Sequence, residues 1–301
     1  MSLSVNLFDK SVKTRSTGCA FFGKPAESIT TPYVNLSIQL NTTCNGKCKF
    51  CEYHDNQVRS FDYGKLSEVV AEIQRNVRLF KLNFTGGEPT LDMNHFERVL
   101  TICDSGFNHK LGEFTVNTNG IHLLDLLPHM DTISYIALSR HHWDDSINNS
   151  IFGTDTVAQS DDIKRFFDKF GDKYFKLHAR CNLMRGYIDS PDKIATYLEH
   201  SMDLGINWFG LVTLIDLNQW CRDNEVVADK LLEDSRFLRN QLWERYEAGK
   251  VECRCADYIY VKNAKLAIFY HRIFCNSTLS DGQLVYDGHN LRLGFSGEII
   301  Y

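Results

Sequence analysis

The feature that most constrains the fold of this chain is a succession of six β–α units between residues 33 and 246. Val34, Leu36, Ile38 and Leu40 alternate with Asn35, Ser37, Gln39 and Asn41, the period-two pattern of a strand. A helical pattern follows over Leu66–Leu79, a strand over Lys81–Thr85 and a helix over Asn94–Cys103. Strands are then expected at Phe114–Asn117, Ile133–Leu138, Tyr174–Leu183 and Asn207–Leu214. A short helix is expected near Leu123–Leu127, and longer ones over Asp161–Phe170, Pro191–Leu204 and Val226–Tyr246. Strands alternating with helices predict a parallel sheet with helical crossovers.

The faces of these strands narrow the class further. Buried parallel strands are usually apolar on both sides. Here one face of four of them carries polar groups: Asn35, Ser37, Gln39 and Asn41; Lys81, Asn83 and Thr85; Glu113, Thr115, Asn117 and Asn119; Lys176, His178, Arg180 and Asn182. Flanking both faces with helices would strand these groups in an apolar layer at several kcal/mol per unpaired group. A curved sheet with helices outside and a polar concavity inside accommodates them. The expected fold is therefore α/β, a partial (β/α)6 barrel with its site at the strand ends. After about Gly249 short β-like segments follow, separated by Asp281-Gly282, Asp287-Gly288 and Ser296-Gly297 turns. The expected organisation is an N-terminal wrap over 1–32, the barrel over 33–248 and a β-rich C-terminal extension over 249–301 that could close the barrel.

Just past the first strand stands Cys44-Asn45-Gly46-Lys47-Cys48-Lys49-Phe50-Cys51. Three cysteines this close can converge on one iron–sulfur cluster, yet they leave one iron of a four-iron cube without a protein ligand. An incomplete site belongs to chemistry, as in metal enzymes that keep an open position. A zinc knuckle completed by His54 and a plain iron–sulfur electron carrier are the alternatives.

The C-x3-C-x2-C array with Phe50 before its last cysteine resembles the signature of radical S-adenosylmethionine (SAM) enzymes. Thr85-Gly86-Gly87-Glu88-Pro89 is similar to that superfamily's GGE motif, whose backbone and carboxylate bind the SAM amino group. Asn117-Thr118-Asn119-Gly120, Ser139 and Cys181-Asn182-Leu183-Met184-Arg185-Gly186 resemble further SAM-lining segments, in a pattern nearest the GTP 3′,8-cyclase-like and peptide-maturase branch. The resemblance implies a [4Fe-4S] cluster on Cys44, Cys48 and Cys51. It implies SAM against Phe50, Gly86, Gly87, Glu88, Asn117, Asn119, Ser139 and Asn182. One electron from the reduced cluster would cleave SAM, and the resulting 5′-deoxyadenosyl radical would take hydrogen from a C–H bond. A one-electron reductant such as flavodoxin or ferredoxin is the implied protein partner.

Substrate contacts are expected from Arg140, His141 and His142 after the fourth strand, and from Lys176, His178 and Arg180 on one strand face; together they suit an anionic group. Asp144 or Asp145 capping a solvated helix is the alternative for the first set, and a structural carboxylate partner for Arg180 or Arg185 the alternative for the second. Cys253, Cys255 and Cys275 could hold a second iron–sulfur cluster, or form a structural or redox pair. Their C-x-C spacing departs from both the cyclase and the maturase pattern. A small-molecule or nucleotide-like substrate is the leading expectation and a short peptide the alternative. A net charge of −5 argues against nucleic acid as the main partner. No apolar run approaches the roughly 20 residues needed to span a bilayer, and residues 1–10 carry no signal core, so a cytoplasmic location is expected.

Overall fold

The computed structural model describes residues 4–14, 33–53, 60–107, 112–170, 176–226, 282–295 and 297–301, and the backbone of 244–246, 256–261 and 264–269. In chain order the strands are β1 (Ser4–Leu7), β2 (Lys10–Lys13), β3 (Tyr33–Gln39), β4 (Arg78–Thr85), β5 (Glu113–Thr118), β6 (Tyr135–Ser139), β7 (Leu177–Leu183), β8 (Trp208–Thr213), β9 (Glu244–Tyr246), β10 (Ala256–Val261), β11 (Ala264–Phe269), β12 (Gln283–Tyr286) and β13 (Leu291–Leu293). The helices are α1 (Tyr63–Asn76), α2 (Met93–Phe107), α3 (Asp145–Phe152), α4 (Ser160–Phe170), α5 (Pro191–Asp203) and α6 (Gln219–Asp223), with a 3-10 helix over Leu123–His129. Among the described residues no helix is long and apolar enough to cross a membrane.

β3 to β8 pair in parallel, in sequence order, as the β–α alternation predicts. Helix starts are written locally: Asp62 Oδ1 accepts from Lys65 N at 2.9 Å to cap α1, and Ser190 caps α5 ahead of Pro191. Leu36, Ile38, Leu82, Phe84, Phe114, Val116, Ile136, Leu138, Leu177 and Ala179 form one apolar layer with Leu66, Val69, Ile73, Phe96 and Val99 of α1 and α2. The opposite face is polar yet buried at Asn35, Ser37, Lys81, Thr115 and His178. Its groups answer one another: Thr115 Oγ1 donates to Asn83 Oδ1 at 2.9 Å, and Lys81 Nζ to the Tyr135 hydroxyl at 2.6 Å.

The C-terminal strands continue this sheet at both edges. β12 pairs in parallel with β3 and β11 in parallel with β8, giving the order β13-β12-β3-β4-β5-β6-β7-β8-β11-β10-β9. The extension is thus divided between two edges, and no pairing joins β13 to β9 among the described residues. The long helix expected over 226–246 falls largely outside the described residues; its last three, Glu244–Tyr246, form β9 instead, antiparallel to β10. β1 and β2 form a hairpin unforeseen from sequence, whose buried Leu7 and Val12 join the main core.

Candidate active site

The site is built where β3, β4 and β5 end. The main chain leaving β3 meets the turn after β4 rung by rung: Leu40 N donates to Thr85 O (2.9 Å), Gly87 N to Asn41 O (3.0 Å) and Glu88 N to Thr43 O (2.8 Å). This interlock demands the two glycines. Gly86 has φ +139°, and an added Cβ would lie 2.4 Å from Asn41 O; at Gly87 it would lie 2.0 Å from Thr43 O. The close approach at both glycines is made by the backbone of Asn41 and Thr43, which leads into the cysteine loop.

Cys44, Cys48 and Cys51 lie on that loop as free thiols, Cys48 buried and the other two half-buried. Gly46 N points at Cys44 Sγ (3.2 Å) and Tyr53 N at Cys51 Sγ (3.4 Å). Asn119 Nδ2 lies 3.8 Å from Cys44 Sγ and donates to Asn45 Oδ1 at 2.7 Å. Lys47 N donates to Phe152 O at 2.7 Å, Asn45 Nδ2 to Thr156 Oγ1 at 2.9 Å and Asn218 Nδ2 to Lys49 O at 3.1 Å. These bonds tie the loop to the end of α3, to the connection between α3 and α4, and to the residue capping α6. Burial pushes the Cys44 thiol up to about 11, with Glu88 and Cys51 adding to it. Burial followed by its two neighbouring cysteines pushes Cys48 up to about 12, and burial raises Cys51. Cys44 and Cys48 each feel the Cys51 sulfur. Cationic irons would reverse these shifts, since thiolate is the ligand form. Three free thiols on one loop, with N–H groups aimed at two of the sulfurs, are the donor set an iron–sulfur cluster takes, although among the described residues no three such side chains are gathered closely enough to hold a single metal ion.

Glu88 is 1% exposed, and its carboxylate is used inside the protein. Oε1 accepts from Thr90 N (3.0 Å), Thr90 Oγ1 (2.7 Å) and Thr118 Oγ1 (2.7 Å); Oε2 accepts from Asn119 N (2.7 Å). It therefore fastens the end of β5 to the turn after β4. At the same turn Asn41 Nδ2 donates to Glu88 O (2.8 Å), leaving Asn41 Oδ1 buried without a partner. An acceptor left over beside a glycine turn fits an incoming ammonium group. Asn117 is half-buried at the inward position of β5 opposite Ala137. Ser139 and Asn182 are both half-buried; Ser139 ends β6 and Asn182 is the last residue but one of β7. Phe50 packs edge-on to His141, with ring centres 5.0 Å apart.

The substrate candidates divide. Arg140 is 1% exposed and turned into the protein: its guanidinium donates to Asp145 Oδ1 (2.7 Å), Trp143 O (2.8 Å) and Ser160 Oγ (3.1 Å). It fastens α3 and α4 to β6 and does not present its charge at the barrel mouth. Asp144 caps α3 by accepting from Ile147 N at 3.0 Å, the helix-capping alternative. His142 is buried, accepts from Asp144 N at Nδ1 (3.0 Å) and stacks on Trp143. Lys176 donates to Met130 O (3.1 Å) and Ile133 O (3.0 Å), at the end of the 3-10 helix, instead of lining the interior. His178 and Arg180 do lie on the interior face. The His178 ring stacks on Trp208 at 4.4 Å and 3°, and Trp208 meets Tyr135 at 4.6 Å.

Lys81 and Tyr135 join this interior group unforeseen as site residues, although Lys81 stood in the polar row. Burial, then Arg180, lowers Lys81 to about 7 against an opposing pull from Glu113. Tyr53 is a second residue missed: its hydroxyl accepts from Gln39 Nε2 at 2.6 Å, between the cysteine loop and the end of β3. His54, Cys253, Cys255 and Cys275 lie outside the described residues.

A sequence model of the radical SAM superfamily matches residues 38–198. A Methanocaldococcus jannaschii protein named as a glycyl-radical enzyme activating enzyme is 27% identical over 229 residues, 75% of this chain and 83% of the relative. A Thermoplasma volcanium protein named as a GTP 3′,8-cyclase is 30% identical over 129 residues, 42% of this chain and 38% of the cyclase. The fold is similar to that of Streptococcus suis SuiB bound to S-adenosylmethionine, with TM-score 0.60 at 14% identity over 88% of this chain and 62% of SuiB. Since the matched span of 38–198 takes in the cysteine loop, the glycine turn and strands β4 to β7, this chain belongs to the radical SAM superfamily.

Proposed function

We propose that the chain is a radical SAM enzyme acting on a C–H bond of a small, anionic, nucleotide-like or carboxylate-bearing substrate held inside the partial barrel. Members of the superfamily bind a [4Fe-4S] cluster and SAM. Bound together, these supply one-electron cleavage of SAM and hydrogen abstraction from substrate. The observation that carries the reading is the interlock of the segment entering the cysteine loop with the glycine turn, which sets the loop beside the turn that would receive SAM.

In this reading Cys44, Cys48 and Cys51 would hold the cluster and leave one iron without a protein ligand. Gly86, Gly87 and Asn41 border the amino group of SAM, while Ser139, Asn117 and Asn182 border the rest of it. Glu88 and Asn119 act one step back, by holding the loop. Arg180 and His178 reach substrate from β7, with Lys81 and Tyr135 beneath them. The strands' curvature keeps water out while the cationic side chains orient an anion. A one-electron donor such as flavodoxin or ferredoxin delivers the electron.

The test is anaerobic turnover with SAM and dithionite, reading 5′-deoxyadenosine. Candidate phosphate- and carboxylate-bearing compounds should raise its formation over the substrate-free rate. Arg180→Gln should lose that stimulation and keep the basal rate. Stimulation by short peptides instead, unchanged in Arg180→Gln, would refute the small-anion reading.

A further inference from the structure

Where β6 ends, one side chain takes over the work of the sheet. Arg140 N donates to Arg180 O at 2.9 Å, and the chain then turns away toward α3. The next amide of β7, Asn182 N, has no β6 carbonyl to meet. His141 Nδ1 accepts from it instead, at 3.1 Å. An acceptor at Nδ1 places the ring proton on Nε2. The main-chain amide of His141 donates to Asn148 Oδ1 at 2.8 Å, so the backbone that aims the ring is itself anchored in α3.

The same ring faces the cysteine loop on two sides. It lies edge-on to Phe50 (5.0 Å, 86°), the residue before Cys51, and stacks on Phe152 (4.9 Å, 25°). Phe152 in turn packs with Cys48, and its carbonyl accepts from Lys47 N at 2.7 Å. A phenylalanine would supply these ring contacts and leave the Asn182 amide unanswered. A glutamine could answer the amide and would lose the ring contacts. Histidine does both.

We propose that His141 is a positioning residue that locks the end of β7, with Asn182, to the loop carrying Cys48 and Cys51, so that the SAM-bordering edge and the cluster ligands keep a fixed separation. This rests on the reading above, in which those cysteines hold the cluster and Asn182 borders SAM.

The test compares the anaerobically reconstituted wild type with His141→Phe and His141→Gln. Three readouts are taken: iron per chain, loss of iron to a chelator, and SAM affinity from the SAM-induced change in the electron paramagnetic resonance spectrum of the reduced cluster. His141→Phe should load iron like the wild type and bind SAM about tenfold more weakly, because the Asn182 amide is left without an acceptor. His141→Gln should recover most of the SAM affinity and release iron several-fold faster. A wild type that binds SAM, together with unchanged SAM affinity in His141→Phe and unchanged iron release in His141→Gln, would overturn the role of His141 and leave the proposed function standing. A loaded wild type that shows no SAM-induced spectral change would overturn both.

Discussion

Replacing Glu88 by Gln keeps the shape of the side chain and removes one acceptor. In the native site the carboxylate takes four donors: Thr90 N, Thr90 Oγ1 and Thr118 Oγ1 on one oxygen, Asn119 N on the other. The amide oxygen of glutamine can satisfy the first three. Its NH2 then faces the Asn119 N–H across a gap that measures 2.7 Å in the native site. Two donors cannot share that distance, so the Asn119 amide is orphaned in a buried setting. Losing one hydrogen bond and the charge that strengthens the others costs about 2–4 kcal/mol. Asn119 also holds Asn45 and approaches Cys44, so the strain passes to the cysteine loop. Equilibrium urea unfolding of the metal-free protein should show the loss without any SAM present, and iron uptake should fall. A metal-free Glu88→Gln variant as stable as wild type, with only SAM affinity reduced, would refute the assignment of this carboxylate to the internal latch.

Gly87→Ala should abolish iron loading, because its Cβ would lie 2.0 Å from Thr43 O, while Gly64→Ala, whose Cβ would rest 3.4 Å from Asp62 Oδ1, should load normally. Iron per chain after anaerobic reconstitution decides between them. Arg140→Met should destabilise by about 1–3 kcal/mol, since Trp143 O loses its donor while the partly exposed Asp145 carboxylate keeps those of Ser160, with an unchanged preference among anionic substrates; urea titration and turnover check the two halves. Burial pushes the Asp145 carboxyl up, but the Arg140 guanidinium and the Ser160 amide and hydroxyl outweigh it and hold the group below its ordinary range. A folded-state value below the unfolded one adds stability that is present above about pH 4 and is lost as pH falls through the folded value. Asp145→Asn should therefore flatten the acid limb of a stability–pH profile, and an unchanged limb would remove the pair from the account.

The parallel sheet and its polar interior were legible because Val34, Leu36 and Ile38 alternate strictly with polar residues, and only a curved sheet buries both rows in suitable company. The cysteine loop was legible from spacing alone. The reason for the glycines was not, since sequence cannot say whether the group crowding Gly86 and Gly87 is a ligand or the chain's own backbone. Arg140 stands at a strand end, where one turn of the backbone decides between the barrel mouth and the core. Asp145 and Ser160, which settle its direction, are local in space but ambiguous in sequence. The β1–β2 hairpin escaped because its left-handed turn residues are Phe8 and Asp9, lacking the Asn-Gly signal. The destination of the C-terminal strands escaped because edge pairing is a long-range choice that no local pattern encodes.

The most direct test of the central claim compares the native chain with one in which Cys44, Cys48 and Cys51 are all changed to Ala. Both are reconstituted anaerobically with iron and sulfide, reduced and given SAM. The native chain should hold about four more irons per chain than the variant and should form 5′-deoxyadenosine, which the variant should not. Equal iron content and equal 5′-deoxyadenosine formation in the two proteins, or none from a loaded and reduced native chain, would contradict it.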